Sequence, residues 1–397
     1  MEALTDPKPV FQFTAPPPLA LYVHLPWCVR KCPYCDFNSH ALRGSLPAEA
    51  YVDALLADVT REVSHVHGRA IDSVFFGGGT PSLFPPNALA RLIEGLRCRL
   101  TIAADCEITL EANPGAVDQA RFEGFRSAGV NRLSIGVQSF HAQSLRRLGR
   151  IHGPQAALVA IETAHAAGFE NFNIDLMYGL PDQTPREAVA DIIQAIALAP
   201  AHISHYQLTL EPNTAFAARP PALPEEDAIY EMQLRCQARL AAAGYEHYEV
   251  SAYARPGQRC GHNLNYWTFG DYLGVGAGAH GKVTDVDQGK IARYEKLTLP
   301  MAYLTQAAVG NAVSSSYQLS AQDAVLEFMM NALRLPRGVP RPLCMARTGL
   351  SWSSFEAAVR DARKRGWLEL TAEDQLLPTA VGMRFLNDLL GCFLAED

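Results

Sequence analysis

The sequence has no long hydrophobic run. None of its apolar stretches reaches the ~20 residues that a helix needs to cross a bilayer, so a spanning segment is not expected and only peripheral docking on a membrane stays open. It has no basic excess either. Lys and Arg number 34 against 41 Asp and Glu, a net charge of −7, and that leaves no global footprint for nucleic acid. Cysteine is scarce and odd in number, nine in 397 residues. That usage fits a reducing, cytoplasmic compartment. Six of the nine (Cys98, Cys106, Cys236, Cys260, Cys344 and Cys392) are scattered and read as small buried hydrophobes. No secretory signal is visible. Residues 1–20 are broken by Pro7, Pro9, Pro16, Pro17 and Pro18 and read as a flexible or extended leader, not an apolar h-region. No internal repeat stands out beyond a strand–helix period. The length suits one large α/β domain plus a smaller one, or two to three small domains.

From Leu21 the chain alternates short apolar runs with helical patterns at roughly 25–40 residues, the size of a βα unit. Strands are expected at Leu21–Leu25, Ser73–Phe76, Glu107–Glu111, Arg132–Gln138, Phe172–Met177 and His202–Leu208, each fit for burial on both faces of a parallel sheet. Between them, Val52, Leu55, Leu56, Val59 and Val63 share one face of a helix over 48–65. Asn87 and Asp118 are candidate caps of the next two helices. Pro185 opens a helix to Leu198, and Gly244 ends one begun at Glu225. Six such units in a row predict an open or closed (β/α) barrel, whose site is built from loops at the C-terminal strand ends.

Those ends carry unusual residues. The first strand leads into Cys28, Cys32 and Cys35, a C-x3-C-x2-C run. Thiolates this close can converge on one soft metal centre, and three sulfurs leave a coordination position open. No fourth Cys or His stands at ligand spacing, although His40 is near. A zinc loop or unrelated core thiols are the plainer alternatives; an iron–sulfur cluster is the other. The second strand leads into Gly77-Gly78-Gly79-Thr80-Pro81, which reads as a turn exposing main-chain polar groups to a charged ligand end, or as a tight strand-to-helix turn. Glu111, Gln138 and Asp175 sit at or near later strand ends, with Arg150 beyond the fourth. On one rim they suit a ribose diol and a zwitterionic amino-acid end. Tyr22 lies on the first strand. Tyr34, inside the cysteine loop, is a candidate to pack on an adenine or a second ligand. His24 reads as a structural hydrogen-bonder.

Beyond 250 the character changes. A glycine- and aromatic-rich stretch contains His262-Asn263-Leu264-Asn265-Tyr266-Trp267 and alternating glycines from Gly274 to Gly278. Such glycines suggest close backbone approach. From Ser320, amphipathic helices at 327–333 and 352–365, a short β-wing at 367–378 and a helix at 382–390 suggest a winged-helix-like module. It has no dense Lys/Arg face, so an interaction or lid role is expected. The division expected is 1–20, 21–250, 251–315 and 316–397.

The C-x3-C-x2-C run after a short strand resembles the signature of the radical S-adenosylmethionine (SAM) enzymes. Together with GGGTP, Glu111-Ala112-Asn113-Pro114, Gly136-Val137-Gln138-Ser139, Tyr178-Gly179-Leu180-Pro181 and His262-Asn263-x2-Tyr266-Trp267, it is similar to the oxygen-independent coproporphyrinogen oxidase group from about Leu21 to the C-terminus. The resemblance implies an α/β fold with a partial (β/α)6 TIM-type radical SAM barrel and a C-terminal α+β winged-helix-like module. It implies a [4Fe–4S] cluster on Cys28, Cys32 and Cys35. It implies SAM held by Tyr22, Tyr34, Gly78, Gly79, Thr80, Glu111, Gln138, Arg150 and Asp175, and an electron donor that reduces the cluster so that SAM can be cleaved to a 5′-deoxyadenosyl radical. The oxidases usually continue the motif with a further Cys, where this chain has Phe37, and they carry a longer N-terminal arm. Both departures point to the heme-chaperone branch, which implies bound heme and recipient heme proteins such as respiratory enzymes. His262 is then a candidate heme ligand, with Tyr266 and Trp267 as a wall for the macrocycle. Cys32-Pro33 also looks like a heme-regulatory pair, although that cysteine is better used on the cluster. Oxidative decarboxylation of coproporphyrinogen III is the alternative activity.

Overall fold

A computed structural model describes residues 11–394. Six strands follow one another along the chain: β1 Leu19–Leu25, β2 Ile71–Gly78, β3 Ile102–Ala112, β4 Arg132–Gln138, β5 Phe172–Tyr178 and β6 His202–Gln207. They pair in parallel in that order, with helices in the crossovers, and form the partial (β/α)6 barrel. Later strands extend the sheet from both edges. β7 Glu246–Glu249 and β8 Ala252–Ala254 add antiparallel beside β6. β9 Asp271–Val275 adds parallel to β1, and β10 His280–Asp285, β11 Lys290–Lys296 and β12 Val313–Gln318 continue antiparallel from it. The parallel strand β9 comes out of the glycine-rich stretch, where alternating glycines hide the strand pattern.

The strands are not apolar on both faces, contrary to the sequence expectation. In β4, Leu133, Ile135 and Val137 are fully buried toward the helices, while Arg132, Ser134, Gly136 and Gln138 line the barrel interior. Asn173, Asp175 and Met177 do the same on β5, and Ser204 and Tyr206 on β6. Strand side chains alternate with period two, so one sheet face packs the core and the other presents a polar column.

The helices obey local signals with one exception. Asp118 accepts from Arg121 N and caps Gln119–Ala128. Thr184 and Glu187 form a capping box for Pro185–Ala197. Asn87 is not a cap. The helix begins at Pro86, with Pro85 before it, because proline at the first helical position already has the helical φ and needs no partner for a missing N–H.

The C-terminal module has its own core, in which Phe328, Phe355, Leu376, Leu389 and Phe393 are buried together. Its wing pairs Leu368–Leu370 with Gln375–Pro378. Ser320 and Asp323 box the start of Ala321–Ala332 and begin that helix six residues earlier than the expected 327. The last helix is split into Ala380–Arg384 and Leu386–Gly391 at Phe385. Of the proline-broken leader, residues 1–10 lie outside the described residues. Phe11 is buried in the C-terminal core, and Gln12 N donates to Gly349 O.

Candidate functional site

A single cavity of about 720 Å³ runs through the barrel interior, and every side chain expected at the site lines it. Its two ends are built differently.

The upper end is the rim at the C-terminal strand ends. Cys28, Cys32 and Cys35 stand on the loop after β1. Among the described residues, no three His, Cys, Asp or Glu side chains close on one point as around a single metal ion. The three thiols line one wall of the cavity. Burial pushes the Cys28 and Cys35 thiols up, so thiolate formation there calls for a bound cation. Arg150 lies against the third thiol: its Nη1 donates to Cys32 Sγ at 3.7 Å and its Nη2 to Gly136 O at 2.6 Å. Cys35 Sγ is 3.6 Å from Ser39 Oγ. Phe37, where the oxidases carry cysteine, is 57% exposed at the cavity mouth. Tyr34 packs on Phe216 and beside Arg150.

The glycine run passes under the cysteine loop. Gly79 N donates to Leu25 O at 2.9 Å and Thr80 N to Trp27 O at 2.8 Å. A Cβ on Gly79 would sit 2.7 Å from backbone atoms of Pro26 and Trp27. Gly78 has φ +116° and a Cβ there would meet the His24 ring at 2.6 Å, so only glycine fits. Gly78 N donates to Glu111 Oε2 at 3.0 Å. His24 is the structural hydrogen-bonder expected: its Nε2–H donates to Asn38 O at 2.8 Å, and Nδ1 accepts from Tyr22 O–H at 2.9 Å. Burial lowers its pKa to about 4.

Glu111, Gln138 and Asp175 stand below the glycines. Burial, then the charge of Asp175, raises Glu111 to about 8. Burial raises Asp175 as well, against the pull of Asn173 Nδ2 at 2.7 Å and Ser134 Oγ at 3.1 Å. Two carboxyls this disfavoured as anions suit a cationic ligand. Asp175 is mid-strand, not at a strand end; it reaches the site because alternate residues of β5 point inward. Gln138 takes a left-handed backbone, φ +69°, and its Oε1 accepts from Tyr206 O–H at 2.7 Å.

The lower end is a floor at the N-terminal strand ends. The helix Gly261–Trp267 lies there, between the barrel and the C-terminal core. Glu107 on β3 ties its start: Gly261 N and His262 N each donate to the carboxylate at 3.1 Å. Both ring nitrogens of His262 are engaged, Nδ1 with Ser73 Oγ at 2.9 Å and Nε2 with Tyr266 Oη at 3.2 Å. The ring stacks on Phe75, and burial lowers its pKa to about 3. It is a neutral, fully bonded imidazole, so ligation of iron through it would need the Tyr266 bond to open. Sequence reasoning missed Arg132, Asn173, Ser204 and Glu107, the polar residues of the interior. The signal was there in the alternation of polar and apolar residues along Arg132–Gln138 and Phe172–Tyr178.

The chain matches the model of the Radical SAM superfamily over residues 22–194 and that of the HemN C-terminal domain over residues 319–385. It is 51% identical over 380 residues to the heme chaperone HemW of Escherichia coli (strain K12), across 96% of this chain and 99% of that protein. The heme chaperone HemW of Bacillus subtilis (strain 168) is 31% identical over 384 residues, across 94% and 99%. Among solved structures, the coproporphyrinogen III oxidase HemN from Escherichia coli, described as a radical SAM enzyme, superposes with a TM-score of 0.80 over 95% of this chain and 90% of that one. Their sequence identity is 24%, so the likeness is one of fold.

Proposed function

This chain belongs to the heme chaperone HemW group of the radical SAM superfamily, and from that premise we propose that it binds heme and passes it to heme proteins. The observation that carries the reading is identity of 51% along almost the whole of a heme chaperone, in a chain whose expected site residues all line one cavity. Radical SAM proteins carry a [4Fe–4S] cluster and SAM. Cys28, Cys32 and Cys35 would hold the cluster, with Arg150 against one sulfur and Ser39 beside another. Bound together, cluster and SAM supply one-electron chemistry. Glu111 and the Gly78–Gly79 backbone would take the amino-acid end of SAM, and Asp175 and Gln138 its hydroxyls. Tyr22, Tyr34 and Thr80 complete that wall. Heme would occupy the remaining cavity, toward Tyr266 and Trp267.

Among the described residues no helix is long and apolar enough to cross a membrane. We place the protein in the cytoplasm, where an electron donor and recipient heme proteins can reach the rim. Oxidation of coproporphyrinogen III has the shared fold in its favour, and Phe37 against it. The test is turnover and transfer in one preparation. The anaerobically reconstituted protein is given SAM, a strong reductant and coproporphyrinogen III, and separately heme and an apo heme protein. Heme uptake and transfer without protoporphyrinogen is the expected result. Stoichiometric or better protoporphyrinogen would make the protein an oxidase and overturn the reading.

A further inference from the structure

The cavity floor holds two buried donors that the protein does not use. Arg132 is 2% exposed, and its Nε has no hydrogen-bond partner among the described residues. Its ion pair to Glu107 spans 3.9 Å, longer than a hydrogen bond, because the Glu107 oxygens are committed to the backbone of Gly261 and His262. Trp267 is the second: its indole Nε1 is buried without a hydrogen-bond partner among the described residues. Both residues line the cavity. Other polar side chains nearby are satisfied internally. His262 and His202 each use both ring nitrogens, and Asn173 bonds Ser134 and Asp175. A buried guanidinium is costly unless its donors are met, and a planar fork of N–H groups is best met by a carboxylate. An indole N–H asks for an acceptor too.

We propose that Arg132, with Trp267 lining the same cavity, binds a carboxylate of the ligand held there. Resting on the heme reading above, that group is a heme propionate, which puts the propionate edge toward the N-terminal strand ends and the rest of the macrocycle toward the rim. The methionyl carboxylate of SAM is the other source of the same chemistry.

The experiment uses the full chain with cluster and SAM loaded. Iron protoporphyrin IX is titrated as the free acid and as its dimethyl ester, read at the Soret band. The native protein should prefer the free acid by about tenfold or more, the worth of one charge-assisted hydrogen bond. Arg132→Gln should bind the two alike. Because that change removes the cation facing the Glu107 carboxylate, the neutral double variant Glu107→Gln/Arg132→Gln is run beside it, with iron content and circular dichroism as checks of folding. Arg132→Lys keeps the cation and serves if neither neutral variant folds; it should lose part of the preference with ester binding unchanged. A folded variant that keeps both the full preference and the native affinity for SAM overturns the proposal. Calorimetry with SAM, on cluster-loaded protein before SAM is added, separates the two sources: weakened SAM binding in Arg132→Gln, with the porphyrin preference intact, would make the methionyl carboxylate the occupant and remove the propionate assignment. A native protein that binds neither porphyrin would overturn the heme function itself, and the carboxylate subsite would then stand or fall on the SAM titration alone.

Discussion

The rim and the floor of one cavity are made by opposite strategies. The rim is local. Three cysteines fall within eight residues, and five residues from Gly77 to Pro81 supply the turn beneath them. The floor is assembled from Ser73, Glu107, Arg132 and His262, which the chain separates by up to 189 residues. At the rim, backbone geometry does the selecting: Gly79 has no space for a side chain. At the floor, satisfied polar pairs do it. The rim is thus arranged around groups the chain does not itself contain. The floor is arranged around the helix Gly261–Trp267 and leaves two donors over.

The comparison breaks most sharply at the rim. Cys28→Ala should abolish the cluster, with iron content at background and no brown absorbance in the anaerobic protein; a retained cluster would remove this cysteine from the ligand set. The next effect is smaller. Glu111→Ala should weaken SAM binding by about tenfold or more in calorimetry and leave iron content unchanged. Loss of iron together with SAM would mean that Glu111 holds the loop rather than the ligand.

At the floor, His262→Ala should cost stability without touching the rim. It strands the Ser73 and Tyr266 hydroxyls, and each buried hydroxyl left unpaired costs about 1–3 kcal/mol. The denaturation midpoint should fall while the Soret maximum of bound heme stays put. A shifted Soret band would show that the imidazole leaves Tyr266 for the iron.

The subtlest expected effect is in pH. Burial, aided by Asp175, holds Glu111 up to about 8, so the folded apo chain keeps a proton that the unfolded chain releases at the ordinary carboxyl value. The stability contributed is fully present below that ordinary value and is lost as pH rises toward 8. Glu111→Gln should flatten the decline in denaturation midpoint over this window relative to the native chain. Parallel slopes in the two proteins would place the titrating group elsewhere.

Reading the sequence went far at the rim for a physical reason. A thiolate run, a glycine turn and a strand end are near-neighbour arrangements, so spacing alone reports them. Asp118 was legible on the same ground, since helix ends answer to the residues beside them, and Gly244 nearly so: the cap is Ala243, and Gly244 follows it with a left-handed φ of +82°. Asn87 misled because Pro86 starts its helix without needing a side-chain cap. The strand interiors were harder. In Arg132–Gln138 three apolar residues, Leu133, Ile135 and Val137, alternate with polar ones and Gly136, and reading the stretch as one apolar run concealed the inward column of Arg132, Ser134 and Gln138.

What the sequence determined by itself was the order of βα units, the cysteine and glycine motifs, and therefore the family and the upper half of the site. What only the tertiary structure decided was which residues meet beneath it. His262 became a bonded, neutral wall because β2 brought Ser73 to one ring nitrogen and the helix brought Tyr266 to the other. Glu107 was spent on that helix, and Arg132 was left with no hydrogen bond to its Nε among the described residues. Pairing across such separations depends on sheet register and on burial, and neither is a property of any short stretch of chain.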